Sequence, residues 1–144
     1  MAGRDSLAGS PPIDTLTEFE SFSSPGLEST TSDTPVIKAG YPYTTTVKSS
    51  GFYALNYSVQ IGQGSNNSLS RLVIEWRPGT SGTWLGVIDT TQSLRNEGFA
   101  PWSGFSIIEL TTSTAFQVRI RYANPGNGGC TIRQANITIG KISG

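Results

Sequence analysis

Residues Phe52-Tyr-Ala-Leu-Asn-Tyr-Ser-Val-Gln-Ile61 decide the fold class. Tyr53, Leu55, Tyr57, Val59 and Ile61 alternate with mostly smaller or polar residues, and only a β-strand, whose successive side chains point to opposite faces, buries one such set and hydrates the other. The same period recurs downstream, where Phe116, Val118, Ile120 and Tyr122 face one way and Gln117, Arg119 and Arg121 the other. Residues 71–76 and 83–88 read as strands joined by Arg77-Pro-Gly-Thr-Ser-Gly82, whose Pro-Gly and Ser-Gly steps suit a hairpin connection. Phe105-Ser-Ile-Ile-Glu-Leu110 adds another strand, and Glu75 and Glu109 fall at outward positions. The run 130–140 alternates as well but changes phase between Ile132 and Ile137, which predicts a bulge near 134–136. Many short strands with regular turn signals and no convincing helix predict an all-β domain over residues 36–144, a two-sheet antiparallel jelly-roll sandwich.

The first 35 residues read differently. They lack strand alternation, are broken at Pro11-Pro12 and Pro25-Gly26, and include the Ser/Thr-rich Glu28-Ser-Thr-Thr-Ser-Asp-Thr34, so the expectation is an extended arm, disordered when alone. One arginine against six carboxylates gives this arm a net charge of −5, and nine basic against four acidic residues give the remainder +5. Such asymmetry predicts that the arm contacts a basic surface, on its own body or on a partner. Ile13, Leu16, Phe19 and Phe22 recur at every third residue with acidic residues between them and are the expected anchors of that docking.

Composition narrows the chemistry. With 144 residues, one domain is expected. The chain has no histidine and therefore lacks the commonest general base and metal ligand. Paired-carboxylate catalysis would require Asp89 and Glu97 to converge across their loop, and the expectation is a non-enzyme without cofactor or metal. The single cysteine, Cys130, reads as a small buried hydrophobe. The apolar runs are far too short for a membrane helix, and the opening residues hold no apolar core of a secretory leader, so no membrane association and cytoplasmic synthesis are expected. Arg71, Arg119, Arg121 and Arg133 are expected on one outer sheet face, where they would receive the acidic arm or a partner. The lack of Lys/Arg runs and of stacking motifs argues against a nucleic-acid partner. Phe99-Ala-Pro-Trp102-Ser-Gly-Phe105 carries three large rings which, with Tyr57 and Tyr122, are candidates for burial between subunits.

Val47-Lys-Ser-Ser-Gly-Phe-Tyr53-Ala-Leu-Asn-Tyr57-Ser-Val resembles the "Gly-x-Tyr-x-apolar-x-Tyr-x-Val" strand of the tumour necrosis factor and complement globular-head superfamily. Trp102-Ser-Gly-Phe-Ser-Ile-Ile-Glu-Leu110, Val118-Arg-Ile-Arg-Tyr122 and the closing Ile137-Thr-Ile-Gly-Lys-Ile142 are similar to later strands of that superfamily. The superfamily's charged-Gly-Asp turn is replaced here by Leu110-Thr-Thr-Ser-Thr114, and the calcium ligands of some members have no counterpart. The resemblance implies a jelly roll assembled as a homotrimer, with aromatic and aliphatic residues near the threefold axis. Domains of this kind occur in secreted signalling proteins and in the spikes, head fibres and decoration proteins of bacterial viruses, and the lack of a collagen repeat, disulfide or secretory leader favours the second group. The function it implies is a non-enzymatic virion structural protein: a trimeric capsid decoration, cement or head-fibre protein, assembled in the host cytoplasm and attached by its arm to the capsid or another virion protein. The alternative is the receptor-binding tip of a phage spike or tail fibre that recognises a host glycan or protein through the loops at 62–68 and 89–102.

Overall fold

The computed structural model describes residues 18–63, 69–93, 98–126 and 128–143. Among them it has ten strands and no helix: β1 (Phe19–Ser24), β2 (Glu28–Thr30), β3 (Val36–Ile37), β4 (Tyr43–Thr44), β5 (Gly51–Gln63), β6 (Leu69–Pro78), β7 (Leu85–Ser93), β8 (Ala100–Leu110), β9 (Phe116–Ala123) and β10 (Cys130–Ser143). One sheet, here called the front, has the order β1-β10-β5-β8, with β2 also paired to β10. The back sheet has the order β3-β9-β6-β7, with β4 also paired to β9. Every pairing is antiparallel. From β7 onward the chain crosses from one sheet to the other at each step, and only β6 and β7 form a hairpin between consecutive long strands. That is the two-sheet jelly roll the alternation predicts.

The alternating residues supply the core. Tyr53, Leu55, Tyr57, Val59 and Ile61 of β5 face Leu72, Ile74 and Trp76 of β6 and Phe116, Val118, Ile120 and Tyr122 of β9 across the sandwich, all in one buried cluster. Phe116 sits edge-on to both Tyr53 and Trp76, with ring centroids 5.9 Å apart in each case. Each such side chain contributes about 1.5–3 kcal/mol by leaving water, so these strands are held chiefly by their inward rows. Cys130 lies in the same core as a free thiol. The predicted change of phase in the last strand is a register shift between Arg133 and Asn136, where Gln134 adopts φ 52°. This bulge restores Ala135, Ile137 and Ile139 to the inside.

The boundary expected at residue 35 needs correction. β1 and β2 lie inside the segment expected to be an arm, yet both pair with β10, Phe19–Ser24 against Ala135–Gly140 and Glu28–Thr30 against Cys130–Ile132. Among the described residues the front sheet therefore begins at Phe19. Without these strands the outer edge of β10 would present its unpaired N–H and C=O groups to water. The inward positions of β1 are Glu20, Phe22 and Ser24, a period-two row that is mostly polar and leaves no hydrophobic signature.

Candidate interaction surfaces

Three carboxylates fasten β1 and β2 to the body. Glu18 accepts hydrogen bonds from the Ser49 N–H (2.9 Å), the Ser49 hydroxyl and the Tyr53 hydroxyl (2.8 Å). Glu20 accepts from the Lys48 ammonium (2.6 Å), the Thr46 N–H (2.9 Å) and the hydroxyls of Tyr43 and Thr46. Glu28 accepts from the Tyr122 hydroxyl (2.9 Å) and the Ala39 N–H (3.1 Å) and pairs with Lys38 at 3.0 Å. Lys38 and Lys48 are each 1% exposed, so the segment carries the counter-charges of two buried ammonium groups. Burial by itself would raise the Glu20 carboxyl, but the bonds from Lys48, Thr46 and Tyr43 outweigh it and bring the pKa down to about 2. Glu18 is lowered for the same kind of reason: the bonds from Ser49 and Tyr53, with Lys141 nearby, exceed the burial penalty. The basic surface expected to meet the acidic segment belongs to the chain itself.

Of the four expected arm anchors, Phe22 is stacked on Tyr43 with centroids 4.7 Å apart and meets the edge of Tyr41, so it is engaged within its own chain rather than held for a partner. Phe19 points outward from the sheet and is 51% exposed. Ile13 and Leu16 lie outside the described residues.

One end of the outer face of the front sheet is apolar. Register places Phe19 beside Gly140, Gly140 beside Ala54 and Ala54 beside Ile107, a row that crosses all four strands. Phe105 pairs with Asn56 one row away, and Phe52 with Glu109 on the other side. Phe105 is 66% exposed and Ile107 47%. Two outward residues of these paired strands ionise, Glu109 beside Phe52 and Arg133, which lies toward the opposite end of the sheet where it pairs with Gln60. The Phe19 ring lies over β10 at Gly140, where a Cβ would meet it at 3.5 Å, an ordinary van der Waals contact. Contiguous exposed apolar residues of this kind make this end of the sheet a candidate interaction face.

The outer face of the back sheet is the opposite. Arg71 pairs with Asp89 at 2.7 Å, and Arg119 and Arg121 share Glu75 at 2.8 and 2.9 Å. The guanidiniums of Arg77 and Arg119 lie 4.3 and 4.1 Å from the centre of the Trp84 ring. Arg133 does not join this group, correcting the expectation of a shared face: it belongs to β10 in the other sheet, bonds Gln60 and covers the Phe99 ring at 3.8 Å. Asp89 is therefore engaged by Arg71, and Glu97 lies outside the described residues.

The five aromatic residues expected between subunits divide accordingly. Phe105 stands on the apolar face. Phe99 packs against Arg133 of its own chain. Tyr57, Trp102 and Tyr122 are core residues, as their inward phase in β5, β8 and β9 dictates, and cannot lie between subunits as free rings. Phe52 and Ile107, which sequence reasoning did not single out, stand exposed beside Phe105 instead; the signal was present in strands apolar on both phases.

Comparison of the sequence with protein-family models gives no match, and comparison with curated proteins gives none either. Solved structures do match in fold. Eiger TNF from S. frugiperda superposes with a TM-score of 0.51 at 15% identity, covering 88% of this chain and 94% of that one. A chain of infectious bursal disease virus, Gx strain, gives 0.53 at 9% identity, covering 85% of this chain and 32% of the viral one. The Gt strain gives 0.50 at 11%, over 85% and 33%. This chain thus spans about a third of the viral chains and nearly the whole of the Eiger TNF chain. At these identities the likeness is one of fold, and the fold it identifies is the jelly-roll sandwich derived above.

Proposed function

We propose that this chain is a non-enzymatic virion structural protein, a homotrimeric capsid decoration, cement or head-fibre protein of a bacterial virus. The observation that carries it is the apolar end of the front sheet's outer face, and the occupant is a second copy of the chain. The apolar patch has one carboxylate beside it, Glu109, and the sheet's outward guanidinium, Arg133, is engaged by Gln60 and Phe99 toward the other end, so a foreign partner finds little charge to recognise, whereas copies arranged around an axis cover Phe19, Phe52, Phe105 and Ile107 mutually. The fold shared with chains of a virus particle and with a TNF supports the virion setting and the self-assembling architecture. Because Glu18, Glu20 and Glu28 are occupied by the chain's own groups, attachment to the particle falls to residues 1–17, with Ile13 and Leu16 as the anchors. Three tethers on one trimer multiply a modest affinity.

Light scattering on the full chain is expected to give three times the 15.3 kDa chain mass, and Ile107→Glu is expected to give the single-chain mass with the melting temperature of a folded domain. A single-chain mass for the unaltered protein overturns the assembly. Deleting residues 1–17 is expected to abolish co-sedimentation with particles while leaving the trimer intact; undiminished co-sedimentation overturns the tether.

A further inference from the structure

We propose that the groove between the open edges of β7 and β8 is a binding site for a neutral saccharide. The two sheets end side by side here, since β7 closes the back sheet and β8 the front sheet and the two are not paired with each other. The cleft between them has a volume of about 560 Å3, within the range of roughly 300–1,000 Å3 in which small-molecule sites fall. Tyr57 and Trp102 line its inner side, and Thr90, Gln92, Ser93 and Ser103 line its rim. Among the described residues none of the lining side chains is charged.

Each part of this lining suits one part of a sugar. The C–H face of a pyranose is apolar and packs on aromatic carbon; Tyr57 and Trp102, 9% and 8% exposed, leave a small part of their rings on the groove for it. Its hydroxyls both donate and accept, and they need partners that do the same. Three side-chain hydroxyls and one primary amide on two facing strands meet that need. An anionic ligand would find no counter-charge among these side chains. An extended peptide adding to the β8 edge would meet Pro101, which has no N–H to donate, at the groove itself. The cleft also depends on a particular glycine. A Cβ at Gly104 would come within 2.6 Å of the Tyr57 hydroxyl and 3.0 Å of its ring, so the glycine is what allows the tyrosine to lie across β8 and floor the groove.

The site lies within one subunit, at the Ala100 end of β8, whereas Phe105 and Ile107 of the assembly face lie toward its Leu110 end. Sugar binding and self-association therefore fail separately. The test is a printed array of neutral, sialylated and sulfated oligosaccharides probed with the full-length protein, followed by saturation-transfer NMR with the best neutral ligand. Saturable binding to a neutral saccharide is expected. Gln92→Ala and Ser103→Ala, both at exposed positions, should each weaken it by about tenfold, the loss expected for one or two hydrogen bonds, without changing mass or melting temperature. Ile107→Glu should leave it intact. The proposal is overturned by the absence of saturable binding to any neutral saccharide, by binding confined to acidic glycans, or by binding that both groove variants retain in full.

Discussion

On the outer face of the back sheet Arg71 meets Asp89 and Arg119 and Arg121 meet Glu75, whereas at the matching outward positions of the front sheet stand Phe19, Phe52, Phe105 and Ile107. Both faces are made by the same alternation over strands of similar length, and both cover the same core. The difference lies in what the outward residues require. A guanidinium paired with a carboxylate is at rest in water, while exposed apolar surface costs about 25 cal/mol for each Å2 left uncovered. One sheet is finished by its own side chains, and in the proposed assembly the other is finished by a second copy of the chain.

The sheets also differ in what completes them along the edge, and removing that edge should give the largest effect. The back sheet ends in the short β3 and β4, but the front sheet depends on β1 and β2, which bring Glu20 and Glu28 to Lys48 and Lys38. Deleting residues 1–34 strands two buried ammonium groups without counter-charge, each such loss costing about 3–5 kcal/mol, against a whole-domain stability of about 5–15 kcal/mol. The shortened chain is expected to lose its cooperative thermal transition, whereas deletion of residues 1–17 should leave circular dichroism and melting temperature unchanged. A native melt from residues 35–144 alone would show the segment to be dispensable to the fold. Next in size is the threefold drop in mass expected for Ile107→Glu; Gln117→Glu, the corresponding insertion of charge on the back face, should leave the mass as it was.

A smaller effect isolates one latch. Glu20→Gln keeps the shape of the side chain but removes the charge opposite Lys48, and should cost about 3 kcal/mol at neutral pH, or roughly 10 °C in melting temperature. Its pH dependence follows from the sign of the shift. The folded pKa of about 2 lies below the ordinary value of 4.5, so the stabilisation is fully present above about pH 4.5 and is lost as pH falls toward 2. The unaltered protein and Glu20→Gln should therefore converge in stability over that window. A gap that stays constant down to pH 2 would mean that Glu20 acts through its shape and not its charge.

How far the sequence could be read depended on whether the inward row was apolar. In β5 and β9 it was, so strand, face and core all followed from Tyr53, Leu55 and Val59 and from Phe116, Val118 and Ile120. The phase change at Ile132 even located the bulge at Gln134. In β1 the inward row is Glu20, Phe22 and Ser24; Phe22 meets the rings of Tyr41 and Tyr43, and the other two bond ammonium and hydroxyl groups distant in sequence. A strand held by such bonds carries no period in hydrophobicity, and the segment reads as an arm. The exposed apolar patch was hidden for the converse reason. In β8 both phases are apolar, with Ile108 and Leu110 inward and Phe105 and Ile107 outward, so the size of an aromatic ring drew attention to Trp102 and Tyr57, which their phase puts inside.

The smallest expected effect tests whether the back face is as self-contained as its pairs imply. Arg71 and Asp89 form a two-pronged bond, Nε to Oδ1 at 2.8 Å and a terminal nitrogen to Oδ2 at 2.7 Å, but the aspartate side chain is 54% exposed. Water competes for both groups, and salt screens them, so Arg71→Ala should cost no more than about 0.5 kcal/mol, and that difference should shrink in 1 M salt, where the Debye length is only about 3 Å. Neither the mass nor the binding of the trimer to particles should change. If Arg71→Ala instead lowered the mass or released the protein from particles, the back face would be an interface too, and the contrast between a finished and an unfinished sheet would no longer hold.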